Sequence, residues 1–83
     1  MQAYLQTRQL REQANARQAA ESWVAELQQP VMEGELEPVV LDSITYHGSL
    51  RILRNEPGFY QLQVTTSWPG HERKFPFHYR PSL

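Results

Sequence analysis

FYQLQVTTSW, residues 59–68, is the stretch on which the fold turns. Tyr60, Leu62, Val64, Thr66 and Trp68 fall on one side of an extended chain, and Gln61, Gln63, Thr65 and Ser67 on the other, because successive side chains of a strand point to opposite faces. An apolar row backed by amides and hydroxyls describes an antiparallel strand with one face on a core and one in water. Asn55-Glu56-Pro57-Gly58 precedes it and Pro69-Gly70-His71-Glu72 follows it. In both, proline presets φ and glycine accepts a left-handed backbone, so both read as turns. Beyond the turns lie two more strands: residues 49–54, with Leu50 and Ile52 on one face, and residues 73–80. In the latter Phe75, Phe77 and Tyr79 point inward and Lys74, His78 and Arg80 outward. Pro76 has no N–H to give to a ladder, which predicts an edge position or a bulge.

Upstream the pattern weakens. Residues 39–46 read as one extended segment, with Val39, Leu41 and Ile44 turned inward, and His47-Gly48 reads as a turn or bulge after it. Residues 30–38 read as an acidic connector, with Gly34 between two prolines. Residues 1–29 read as a helix of two characters. Ala20, Trp23, Val24 and Leu27 obey the i, i+3, i+4, i+7 rule and form an apolar stripe. From Gln2 to about Gln18 the helix is polar, and Leu5 and Leu10 are its only large aliphatic residues. Its Ala, Gln, Arg, Leu and Glu all favour helix. A helix from Gln2 to about Gln28, stopped at Pro30, would be about 40 Å long. These elements predict a single α+β domain over residues 1–83: a long N-terminal helix packed on an antiparallel sheet of three to four strands. The helix–sheet core is expected from Ala20, Trp23, Val24, Leu27, Leu62, Val64, Phe75 and Phe77, centred on Trp23. Only the second half of the helix is covered in this scheme. The first half faces solvent, a partner, or a further segment of chain.

With 83 residues and no cysteine, the chain has neither disulfides nor thiolate ligands to staple it. A net charge of −1 argues against non-specific binding to nucleic acid or to a membrane surface. The charge is nonetheless partitioned. Residues 30–48 carry Glu33, Glu35, Glu37 and Asp42 without a Lys or Arg, whereas residues 49–83 carry Arg51, Arg54, Arg73, Lys74 and Arg80 against Glu56 and Glu72. Such a partition describes solvated faces, or a charge-complementary contact with a neighbouring subunit. No apolar run approaches the length of a membrane span.

Catalytic chemistry finds no foothold, and no enzyme activity is expected. The serines sit in no nucleophile-elbow context. His47, His71 and His78 lack metal-ligand spacing, Glu33, Glu35 and Glu37 lack the grammar of a calcium loop, and the four glycines form no phosphate cradle. No cofactor, metal or small-molecule substrate is expected. The run Phe75-Pro76-Phe77-His78-Tyr79-Arg80 interleaves aromatic and basic residues as single-strand binders do, but the alternation sends its aromatics to the core.

The succession Leu50-Arg51-Ile52-Leu53, Asn55-Glu56-Pro57-Gly58, Tyr60-Gln61-Leu62-Gln63-Val64, Ser67-Trp68-Pro69-Gly70, Glu72-Arg73 and Phe75, placed after a long helix and an acidic connector, resembles the small minor pilins and pseudopilins of type IV pilus-like systems, the PilV-like and I-type group. Residues 13–27 stand where those proteins have the second half of their first helix. The resemblance covers nearly the whole chain with loose motifs. The prepilin cleavage motif, the glutamate after it and the apolar membrane helix are absent from the 83 residues, so the family's assembly residues have no positions here to receive them. The resemblance implies a structural subunit, anchored in the inner membrane by a segment ahead of Gln2, with its domain outside the cytoplasm. Such a subunit packs with sibling pilins to initiate or cap a fibre serving DNA uptake, secretion or adhesion. It also implies that Arg8, Arg11, Glu12 and Arg17 are available for intersubunit pairs, with nucleic acid not bound directly. The alternative is a small cytosolic module that binds protein or single-stranded nucleic acid.

Overall fold

A computed structural model of the chain describes residues 2–27 and 31–80, residues 2–7 by their backbone alone. Helix α1 (Gln2–Ala25) is followed by four strands, β1 (Gly34–Leu41), β2 (Ile44–Glu56), β3 (Phe59–Trp68) and β4 (His71–Tyr79). The strands form one antiparallel sheet in the order β1-β2-β3-β4, each paired with the next in sequence. The helix lies across one face, giving the two-layer α+β architecture.

The strongly alternating segments set the register. In β3 Leu62, Val64, Thr66 and Trp68 are buried while Gln61, Gln63, Thr65 and Ser67 are half-exposed on the outer face. Leu62 stands between Ile52 and Phe77, and Val64 between Leu50 and Phe75, so the inward rows of three strands coincide. Pro57-Gly58 and Pro69-Gly70 make the two turns, with the glycines at φ 74° and 80°. β4 is an edge strand, which accommodates Pro76.

Three boundaries differ from the sequence reading. First, the segment 39–46 is two strands. Asp42-Ser43 makes a two-residue hairpin turn between Leu41 and Ile44, with φ of 51° and 64°, the positive pair that a type I′ turn requires. Second, the acidic connector is shorter than 30–38, because Gly34 to Pro38 belongs to β1. That half of β1 was hidden by its exposure: as an edge strand with Glu35 and Glu37 in water it has little apolar alternation to read. Third, His47-Gly48 is not a turn but lies within β2; of the two readings the bulge is the one met, on the facing β1 strand opposite His47.

The helix explains that last glycine. A Cβ on Gly48 would collide with the Trp23 ring, lying 2.8 Å from Cε3 and closer still to Cζ3 and Cη2. The indole therefore lies directly on the β2 backbone. Its Nε1 donates to the Glu37 carbonyl at 2.8 Å, inside the stretch between Leu36 and Val39 where the β1–β2 register shifts. A bulge withdraws backbone groups from the ladder, and the indole satisfies one of them. Ala16, Ala19 and Ala20, all within 1 % of complete burial, let the rest of the stripe approach the sheet closely.

The helix ends without glycine. Its last turn tightens, the Glu26 N–H reaching both the Ser22 and Trp23 carbonyls and the Leu27 N–H reaching Val24, all at 3.2 Å. The Tyr79 hydroxyl donates to the Leu27 carbonyl at 3.3 Å. The helix thus stops at Ala25, short of the expected Gln28; Gln28 and Pro30 themselves lie outside the described residues. Past them, Val31 is buried, and the Glu33 carboxylate accepts the Ile52 N–H at 3.1 Å, where β2 has run beyond the end of β1.

Gly48→Ala is expected to cost about 3 kcal/mol through overpacking against Trp23, read as a lowered urea midpoint with unchanged slope. Trp23→Phe, which keeps a ring but loses the donor to Glu37, is expected to cost about 1 kcal/mol in the same measurement.

Candidate functional site

The radius of gyration is 14.2 Å and the longest dimension 51 Å against 19 Å across. A compact chain of this length would have a radius of about 12 Å. The excess reflects a helix and a sheet of unequal reach. Among the described helix side chains, which start at Arg8, buried positions begin at Ala16, with Glu12 and Asn15 half-buried ahead of it and Arg8 to Arg11 exposed. The junction where the helix leaves the sheet is therefore the natural place for an outside contact.

That junction is fastened on one flank. Arg11 grips the Asp42 carboxylate in a fork, Nε to Oδ2 at 3.0 Å and Nη2 to Oδ1 at 3.3 Å. Asn15 Nδ2 donates to Oδ2 at 2.7 Å. The geometry follows from helix periodicity, since positions 11 and 15 are one turn apart and face the same way. Their common target is a hairpin turn held in left-handed backbone by two non-glycine residues. Such backbone costs free energy unless the surroundings over-determine it, and here the helix supplies that constraint. Beside the latch Tyr46, fully buried, donates from its hydroxyl to the Glu12 carbonyl at 3.4 Å. Burial raises the Tyr46 phenol above its ordinary pKa of 10.0; the Glu12 and Asp42 carboxylates act in the same direction, and Asn15 opposes them.

An open groove of about 430 Å³ runs along this flank, lined by Arg8, Arg11, Asn15, Asp42, Ser43 and Ile44, with Glu12 at its side. A second hollow of about 490 Å³ lies on the outer sheet face, where Glu35, His47, Ser49, Thr65, Ser67 and Glu72 meet. His47, Ser67 and Glu72 stand in register across β2, β3 and β4, with the serine in the middle. The imidazole has Ser67 beside it on β3 and the bulged Glu37-Pro38 stretch of β1 opposite it on the other side. Among the described residues no three His, Asp or Glu side chains are grouped to hold a metal ion, and no helix is long and apolar enough to cross a membrane.

The four polar helix residues singled out for intersubunit pairs have distinct situations. Arg8 is exposed, 3.9 Å from Glu12. Arg11 is already held by Asp42, and the Arg17 guanidinium lies 5.9 Å over the Phe75 ring on the opposite flank. Of the expected core, Ala20, Trp23, Leu62, Val64 and Phe75 are buried, while Val24, Leu27 and Phe77 are partly buried against them. Sequence reasoning missed Asn15, Asp42 and Ser43. The one signal for the turn was Asp-Ser between two apolar runs, without the glycine that normally marks it. Comparison with protein-family models, with curated proteins and with solved structures found no match.

Ser43→Gly is expected to stabilise the chain by about 0.5–1 kcal/mol by relieving the left-handed backbone, whereas Asp42→Ala is expected to lose about 1 kcal/mol; both are read from denaturant midpoints. With its folded pKa above 10.0, Tyr46 contributes stability in full below pH 10 and loses it as pH rises from there through the folded value. Tyr46→Phe should therefore show a shallower alkaline loss of stability than the parent chain in a pH series of melts.

Proposed function

We propose that the protein is a structural subunit of a type IV pilus-like fibre, a minor pilin or pseudopilin-like domain that packs with sibling subunits to initiate or cap assembly. The observation that carries this reading is a helix that runs on beyond its last buried position, Ala16, where only Arg11, Glu12 and Asn15 touch the sheet among the described side chains. Residues 8–14 are exposed or half-exposed and, apart from the exposed Leu10 and Ala14, polar, yet they continue without a break the helix that is buried from Ala16. A surface helix normally earns its stability by burying an apolar stripe. This segment buries almost nothing of its own, which suits a spacer continuous with a helix bundle in the fibre axis. The sheet then faces outward and the hairpins of β2–β4 decorate the surface. On this reading the domain lies outside the cytoplasm, tethered through a segment ahead of Gln2.

The native reading frame tests it. An apolar stretch of about 20 residues behind a prepilin-type cleavage context, directly ahead of Gln2, is the expected finding. A native start at Met1 with no apolar helix before it overturns the proposal.

The runner-up reading, a module for single-stranded nucleic acid, has one observation in its favour. On the outer sheet face the Phe59 ring lies 5.4 Å from His78 and 5.7 Å from the Arg80 guanidinium. A stacking platform has these ingredients. Salt-dependent binding of an oligonucleotide at low ionic strength would favour it, and no binding there removes it.

A further inference from the structure

The fold converts the charge partition of the sequence into two oppositely charged edges. Along β1 and the helix flank beside it stand Glu26, Glu33, Glu35 and Glu37, all exposed, with Arg8 and the Asp42-bound Arg11 as the bases at the far end of that flank. Glu26 belongs to this flank because, at 100° per residue, it falls in line with Arg8 and Asn15. Along β4 and the opposite flank stand Arg17, Arg73, Lys74 and Arg80, also exposed, with Glu72 as the one acid on the strand. The charges match in height as well as in sign. Glu35 pairs with Ser49, Ser49 with Thr65, and Thr65 with Lys74, so Glu35 and Lys74 end the same row across the sheet.

Charged edges ordinarily prevent sheets from joining. That device works when the two edges repel each other. Here they attract, while backbone pairing is blocked by other means: β4 contains Pro76, and β1 is bulged between Leu36 and Val39 around Pro38. The arrangement excludes a shared ladder yet favours side-chain contact between edges. With a net charge of only −1, no overall repulsion stands against it.

We infer that the chain associates laterally with a second copy of itself, the acidic β1 edge of one against the basic β4 edge of the next. The two surfaces are different patches of the same molecule. The contact is therefore heterologous, leaves one free edge of each kind, and repeats without closing. It rests on the assembly reading for its setting, a filament in which neighbours stand side by side, but its test is separate.

Sedimentation velocity over a concentration series reads it. At low salt the chain should form species that grow with concentration, and these should dissolve as salt shortens the screening length below about 5 Å. Glu35→Lys with Glu37→Lys, and Arg73→Glu with Lys74→Glu, should each be monomeric alone, and an equimolar mixture of the two should regain association. The chain lacks cysteine, so a mixture of Glu35→Cys and Lys74→Cys reports geometry independently of charge. Disulfide-linked heterodimers should form about tenfold faster than from Thr45→Cys with Lys74→Cys. A monomer at every concentration in low salt overturns the inference, as does a closed dimer that stops growing, or association indifferent to the reversals. A native start at Met1 would end the pilin reading and leave these outcomes unchanged.

Discussion

Trp23 seated on Gly48 is the contact on which the other features depend. One indole touches two strands in two ways: its ring rests on the backbone of β2, and its N–H reaches the carbonyl that the β1 bulge frees. The contact fixes the rotation of the helix, because Ala16, Ala19 and Ala20 then face the sheet, and Asn15 and Arg11 then face the β1–β2 turn. It also accounts for a glycine in the middle of a long strand, where glycine would otherwise only weaken the sheet. The bulge and the ring are matched, since the withdrawn carbonyl of β1 would lack a partner without the indole.

The helix has little to stabilise it by itself. Among its ends no acid stands in the first turn and no base in the last, so its macrodipole is left uncompensated. Its closure depends on the sheet at both extremities of the contact: the Tyr79 hydroxyl at Leu27, and the Asp42 latch at Arg11 and Asn15. These links lie on opposite edges of the sheet, one from β4 and one from the β1–β2 turn. They resist rocking of the helix about its alanine stripe.

How much could be read from the chain follows from what each segment buries. β3 and β4 were legible because an inward row alternates with an outward one, and the Pro-Gly turns mark their ends. Trp23 was legible as the centre of the helix contact because it sits on the stripe. β1 was not, because its first half turns only Leu36 toward the core and is otherwise exposed and rich in glutamate, so it carries no clear period. The turn at Asp42-Ser43 was missed because its left-handed backbone is held from outside, by Arg11 and Asn15, residues 31 and 27 positions away. Gly48 was legible as a marker of the irregularity between β1 and β2 but not as the seat of a ring from another element, which its smallness serves. For the candidate site, Arg11 looked free for a neighbour, and only the three-dimensional fold shows that Asp42 holds it.

The alanine stripe has a consequence for how the chain is made. The helix is synthesised before the sheet that covers it, which follows as a run of consecutive hairpins, each able to close on its predecessor. The helix must therefore wait in water without its floor. A stripe of leucines would make that interval hazardous, since exposed apolar surface is what drives misassembly. Ala16, Ala19 and Ala20 present little to stick, and the single large group, Trp23, finds its seat only once β2 with Gly48 has been built. The small residues that allow close packing in the finished domain also leave the unfinished one with little apolar surface to bury.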